Sequence, residues 1–241
     1  MLPCHRRDVL ASFALAAFSA DWLIAGEGKP EAPAAPAPAK PAGDEKWRSL
    51  FDGKTLKNWK ESEFGGAGSV KVEEGQIVIG KGEPLTGVTW NGGDLPKVNY
   101  EVRLQGQRID GDDFFCALTF PVKESSCSLV LGGWGGGVIG LSSLNGYDAS
   151  ENETTGYYQF DRKKWYSVRL VVLENRIVAW LQDERIVNVD TTGTKISIRI
   201  EVDPCRPFGI STFRTAGGIK DLKVRELSKD EIAKIQKDAA E

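Results

Sequence analysis

The apolar residues of this chain recur at every second position, a period that builds a sheet with one dry face and one wet face. Val98, Tyr100, Val102 and Leu104 alternate with Asn99, Glu101, Arg103 and Gln105. Tyr166, Val168, Leu170 and Val172 repeat the pattern, and Ile196, Ile198, Ile200 and Val202 alternate with Ser197, Arg199 and Glu201. Further strands are predicted over 69–73, 76–80, 114–120, 126–132, 137–142, 176–181, 185–190, 207–213 and 219–226. Turn chemistry at Glu74-Gly75, 121–125, Glu174-Asn175 and Asp183-Glu184 separates them. About a dozen short strands at hairpin spacing imply an all-β sandwich of two antiparallel sheets. No repeat of fixed period points to a propeller. The balance of 27 glycines against one methionine in 241 residues leans the same way. The one good helix signal is C-terminal: Ser228 can cap, Glu231 completes a capping box, and Ile232 and Ile235 give a thin apolar stripe.

The N-terminal end is of different material. Arg6-Arg7 precede an apolar run from Ala11 to Phe18 that continues through Trp22-Leu23-Ile24, the outline of an export signal over residues 1–25. Paired arginines followed by x-Val-Leu fit the twin-arginine type, which carries folded proteins. Asp21 interrupts the run, so a membrane span is not expected in the mature chain, and no cysteine follows at a lipoprotein position. Residues 26–46 read as a linker: between Lys29 and Gly43, five residues are Pro and six are Ala. The folded domain is expected over 47–227, with a helical tail at 228–241. The implied location is periplasmic or extracellular.

Composition narrows the chemistry. A net charge of −3 gives no electrostatic footprint for nucleic acid. The single histidine, His5, lies in the segment expected to be removed. A mature chain without histidine cannot run a Ser-His-Asp or Cys-His mechanism or ligate zinc through imidazole.

The run Leu50-Phe51-Asp52-Gly53-Lys54-Thr55-Leu56-Lys57-Asn58-Trp59 resembles the opening of the DUF1080 family, the 3-keto-disaccharide hydrolase domain. Gly75-Gln76-Ile77, Trp165-Tyr166-Ser167-Val168-Arg169, Ile177-Val178-Ala179-Trp180-Leu181 and the closing strand from Gly218 to Val224 follow in order. The resemblance implies a concanavalin A-like jelly roll and, for the family, cleavage of glycosides oxidised at C3. The chain departs from the family in reading Asp112-Asp113-Phe114-Phe115-Cys116-Ala117 where an Asn-Ser-Gly is usual, and Lys220-Asp221-Leu222 where Arg-Asn-Ile is usual.

A 3-keto sugar has an acidic C2–H, so its cleavage needs a base at C2, a donor or metal at the C3 oxygen and an acid for the leaving group. Without histidine, the base falls to Asp, Glu, Tyr or Lys. The densest supply is Tyr147-Asp148-Ala149-Ser150-Glu151-Asn152-Glu153, where Asp148, Glu151 and Glu153 are candidate acid/base groups, ligands for Ca²⁺, or simply a solvated acidic loop. No other cofactor is implied. The acidic run at 110–113 lacks EF-hand spacing and reads as a surface turn. In Gly132-Gly133-Trp134-Gly135-Gly136-Gly137 the glycines leave Trp134 as the one large group, either a platform for a sugar ring or a cap on the core. Trp90 beside Asn91-Gly92-Gly93 is a second candidate platform, and Tyr147, Arg169 and Arg214 are candidate partners for sugar hydroxyls. Trp59, Trp165 and Trp180 are expected in the core. Cys116 and Cys127 flank one hairpin turn, as a disulfide or as two buried thiols. A carbohydrate or 3-keto-glycoside is the expected ligand, bound by an enzyme or, alternatively, by a lectin-like module or tethered scaffold. The oligomeric state is open.

Overall fold

The structure is a computed structural model that describes residues 47–240; the expected export signal and linker lie outside the described residues. In chain order the strands are β1 (Arg48–Ser49), β2 (Trp59–Glu61), β3 (Val70–Glu73), β4 (Gln76–Ile79), β5 (Leu85–Trp90), β6 (Tyr100–Asp110), β7 (Cys116–Val122) and β8 (Ser125–Gly133). They continue as β9 (Val138–Ser142), β10 (Gly156–Tyr157), β11 (Trp165–Val172), β12 (Arg176–Leu181), β13 (Glu184–Asp190), β14 (Gly209–Phe213) and β15 (Ala216–Glu226). A short 3₁₀ helix, Ile200–Cys205, precedes β14, and α1 (Lys229–Asp238) ends the described chain. The larger sheet runs β13-β12-β11-β6-β15-β4-β3, with β1 also on β15; the smaller runs β10-β9-β8-β7-β14-β5-β2. All strand pairings are antiparallel.

The period-two pattern decides which side chains meet between the sheets. Tyr100, Val102 and Leu104 from β6 and Tyr166, Val168, Leu170 and Val172 from β11 face Leu118, Phe120, Leu129, Leu131 and Ile210 from the smaller sheet, in one apolar core. Tyr100 crosses that core and donates its hydroxyl to the Pro121 carbonyl at 2.7 Å, tying β6 to β7. The opening motif is a turn: the Asp52 carboxylate accepts the Lys54 and Thr55 amides at 2.8 and 2.7 Å, and Trp59 donates to the Leu50 carbonyl. The C-terminal helix starts as its sequence dictates, with Ser228 and Glu231 forming the capping box. Ile232 and Ile235 then pack against Val171, Leu173, Leu227 and Trp180 on the outside of the larger sheet.

One expectation is overturned, one strand is added, and one open choice is settled. The run 196–202 is not a strand: Ile196 makes one bridge to Leu144, and from Ile200 the backbone turns into the 3₁₀ helix that contains Pro204. Ile200 is 85% exposed, so its place in the alternation buries nothing. Strand β5, buried at all six residues and on both faces, is one that the pattern does not announce. Cys116 and Cys127 are buried free thiols. Cys127 pairs with Phe120 and Cys116 with Leu131, four positions out of register with each other. Burial pushes both thiols up to about 12.

Candidate functional site

The loop after β8 is built around Arg108. Its buried guanidinium donates to the carbonyls of Gly136 at 2.7 Å and of Gly132 and Asp113 at 3.2 Å, and it lies over the rings of Phe115 and Phe160. Burial draws its pKa down, against the opposing pull of Asp112 and Asp113. A Cβ on Gly132 would stand 2.4 Å from Arg108 Nη2, at a φ of +79°, so a side chain is excluded there. The Asp113 carboxylate closes the loop by accepting the Gly135 amide at 3.1 Å and the Phe114 amide at 2.8 Å. Between these anchors Trp134, at φ +49°, is left 44% exposed.

The outward face of the smaller sheet carries a set of small hydroxyl-bearing residues: Thr89 on β5, Thr119 on β7, Ser126 and Ser128 on β8, Ser142 on β9 and Ser211 on β14, all buried. Two crossing segments cover them. Residues 195–205 run over β5 and β14, where Thr89 donates to the Pro204 carbonyl at 2.7 Å and Cys205 Sγ sits 3.4 Å from Ser62 Oγ. Burial raises the Cys205 thiol to about 11, leaving it inert at neutral pH. The loop 143–155 covers the other half, with Ala149 packed against Ala117, Val130 and Val138. Backbone bonds between Ser143 and Ser197, and between Asn145 and Lys195, join the two segments. So does the ion pair of Arg199 with Asp148, whose other oxygen accepts the Ser142 and Ser143 hydroxyls at 3.1 and 3.3 Å.

Where the cover ends, a hollow of about 310 Å³ opens between Trp134, Phe114, Phe213 and Leu85 on its apolar sides and Arg199 and Glu201 on its polar side. The Phe114 and Phe213 rings lie 5.7 Å apart. Arg199 grips both Glu201 oxygens, at 2.7 and 3.3 Å. That bond holds the Glu201 carboxyl below the usual carboxylate range, and Glu201 together with Asp148 raises the Arg199 pKa, so guanidinium and carboxylate are both charged at neutral pH. An aromatic wall facing a fixed charge pair suits a ring with apolar C–H faces and equatorial oxygens.

The structure brings some of the sequence candidates together and scatters others. Trp134 lines the hollow, and Asp148 reaches it through Arg199. Arg214 stands at the rim, exposed, its amide bonded to the Pro84 carbonyl at 2.8 Å and its guanidinium 5.5 Å from the Phe213 ring. Tyr147, Glu151 and Glu153 are exposed on the covering loop and do not line the hollow. As acid/base groups for this hollow, Glu151 and Glu153 are therefore corrected: the turn made by the Glu151 amide on the Asp148 carbonyl carries them away along the loop. Trp90 is corrected as a sugar platform, because it is 6% exposed, edge-on to Trp59 at 5.3 Å, and donates to the Gly93 carbonyl. Arg169 lies on the far side of the molecule, bonded to Glu101 at 2.8 Å and stacked on Trp180 at 4.2 Å. Trp165 and Trp180 belong to that outer face rather than the core, whereas Trp59 is core. Among the described residues no group of three or more His, Cys, Asp or Glu converges in metal-binding geometry.

Sequence reasoning passed over Arg199, Glu201, Asp113, Phe114 and Phe213. The first two sit on the wet face of the strand expected at 196–202, and Pro204, five positions after Arg199 and three after Glu201, is the available signal that the strand breaks.

Residues 46–212 match the family described as the 3-keto-alpha-glucoside-1,2-lyase-like domain. Among solved structures, the Crh5 transglycosylase in complex with NAG is 7% identical at a TM-score of 0.50, covering 76% of this chain and 84% of its own. The Emp46p carbohydrate recognition domain is 12% identical at 0.50, covering 72% and 90%. The carbohydrate-binding module CBM66 from Bacillus subtilis is 10% identical at 0.45, covering 70% and 96%. At these identities the likeness to the first two is one of fold alone, a sandwich of two antiparallel sheets. No curated protein matches.

Proposed function

The chain belongs to the carbohydrate-active family of 3-keto-alpha-glucoside-1,2-lyase-like domains, and on that premise we propose that its hollow takes the oxidised ring of a 3-keto-glycoside and cleaves the bond at C1 by elimination. The observation that carries this reading is that Trp134, Arg199 and Glu201 line one hollow. In the proposed step Glu201 takes the proton from C2, and the electron pair of that bond moves into the C3 carbonyl as an enolate. Arg199, cationic at any physiological pH, faces the developing negative oxygen. Collapse of the enolate restores the carbonyl, forms the C1–C2 double bond and expels the aglycone oxygen, which takes its proton from water at the open mouth. Trp134 holds the ring by its C–H face. Asp148 acts through Arg199 and is a positioning residue.

Incubating the chain from residue 47 with 3-keto-trehalose or a 3-keto-glucoside tests this. Release of the aglycone with a conjugated enone absorbing in the ultraviolet is expected, and Glu201→Gln should abolish release while retaining binding. Chelator should leave the rate unchanged. Binding without any turnover would support the second reading, a lectin-like module, which the engagement of Glu201 by Arg199 and of Asp113 by loop amides favours. Export through the twin-arginine segment is part of the proposal and is checked by the N-terminus of the protein recovered from the cell envelope.

A further inference from the structure

The glycine loop has a second side. Behind Trp134, residues 135–137 form one wall of another hollow of about 450 Å³, whose other lining residues include Arg108, Asp112, Tyr157, Tyr158 and Gln159. The two hollows share a partition only one residue thick at two places. Asp113 and Trp134 line the first, and their chain neighbours Asp112 and Gly135 line the second. Tyr158 is fixed, with ring contacts to Phe160 at 4.9 Å and Tyr166 at 5.8 Å. Tyr157 beside it is 78% exposed, a large ring presented to solvent. Gly137 completes the bare part of that wall. A Cβ there would meet only the Tyr158 carbonyl at 3.7 Å, an ordinary contact, and its φ is not in the left-handed region. Neither packing nor backbone conformation needs a glycine at 137, and the bare backbone there leaves room for a ligand against the wall.

We propose that this second hollow is a further saccharide subsite, so that the chain takes a glucan of three or more units lying across the partition rather than a disaccharide alone. The inference rests on the saccharide reading of the first hollow. The ring of Tyr157 stacks on a remote sugar, Gln159 and Asp112 bond its hydroxyls, and the bare wall at 135–137 lets the chain pass from one hollow to the next.

The test is calorimetric titration of the Glu201→Gln chain with maltose and with maltotetraose, each oxidised at C3 of the non-reducing glucose. The tetrasaccharide should bind about tenfold more tightly, an aromatic stacking contribution expressed as affinity. That advantage should vanish in Tyr157→Ala and in Gly137→Leu, each with disaccharide affinity and thermal midpoint unchanged. Equal affinity for the two lengths, or an advantage that survives both substitutions, overturns the subsite while leaving the first hollow intact. Failure of both probes to bind overturns the saccharide reading itself, and this inference with it.

Discussion

The two sheets turn opposite kinds of surface outward. On the larger sheet the Glu101 carboxylate, fully buried, is held by Arg103 at 2.6 Å, Arg169 at 2.8 Å and Arg225 at 2.6 Å, and Arg225 also reaches Glu231 on α1 at 2.6 Å. Trp47 lies beneath Arg103, Lys223 and Arg225, and Trp180 beneath Arg169. Charge and aromatic faces are all used by one another there, and the result fastens the first strand and the last helix to the sheet. On the smaller sheet the outward side chains are short hydroxyls and small apolar groups under two crossing segments, and Arg199 with Glu201 at the edge of that cover borders open space beside a half-exposed indole. A dense ionic cluster is therefore the poorer pointer to function in this molecule. The better one is an aromatic ring left without a partner.

Breaking the first surface should have the largest effect. Glu101→Gln leaves three guanidinium groups around a neutral amide and should cost about 3–5 kcal/mol in denaturant unfolding, as for other buried ion pairs that lose one member. The acid limb sharpens this. Burial works to raise the Glu101 pKa, but the charge of Arg169 and the bonds from Arg225 and Arg103 outweigh it and hold the carboxyl below its ordinary 4.5. Glu231 is likewise lowered to about 2, where burial is overcome by the Ser228 amide and Arg225. A pKa depressed by folding contributes stability that is complete above the unfolded value of 4.5 and is lost as pH falls through the folded value. The wild-type chain should thus lose stability steadily between those pH values, and Glu101→Gln should flatten that part of the curve.

On the other surface, Trp134→Ala should lower affinity for a 3-keto-glycoside about tenfold in a fluorescence titration and shift unfolding by no more than about 0.5 kcal/mol. Equal losses in both would make Trp134 a core cap. The smallest effect belongs to the helix: Ser228→Ala removes one side of the capping box and should cost about 1 kcal/mol, seen in thermal unfolding, with sugar binding unchanged.

Much of the fold was legible because the alternation of β6 and β11 is a local property, written at spacing two and read without knowing the partner strands. The capping box of α1 is local in the same way. The candidate site was legible only at Trp134 and, indirectly, Asp148. Phe114, just before β7, and Phe213, the last residue of β14, are nearly a hundred positions apart in sequence, and they meet because β14 pairs with β7. Nothing within either segment announces the other.

The sequence by itself determined that this chain is built of short alternating strands with a capped helix at the end, since alternation and capping are patterns between residues close along the chain; which strands pair, as Lys220 with Gln105 or Arg48 with Val224, is settled across the whole domain. Tertiary structure alone decided that residues 195–205 cross a sheet instead of joining it, and that Arg199 and Glu201 face Trp134. The alternation at 196–202 satisfies a strand in isolation. The hydroxyl-bearing face beneath it offered better burial for Val202 and Cys205, and Pro204 withholds the amide that a ladder would need.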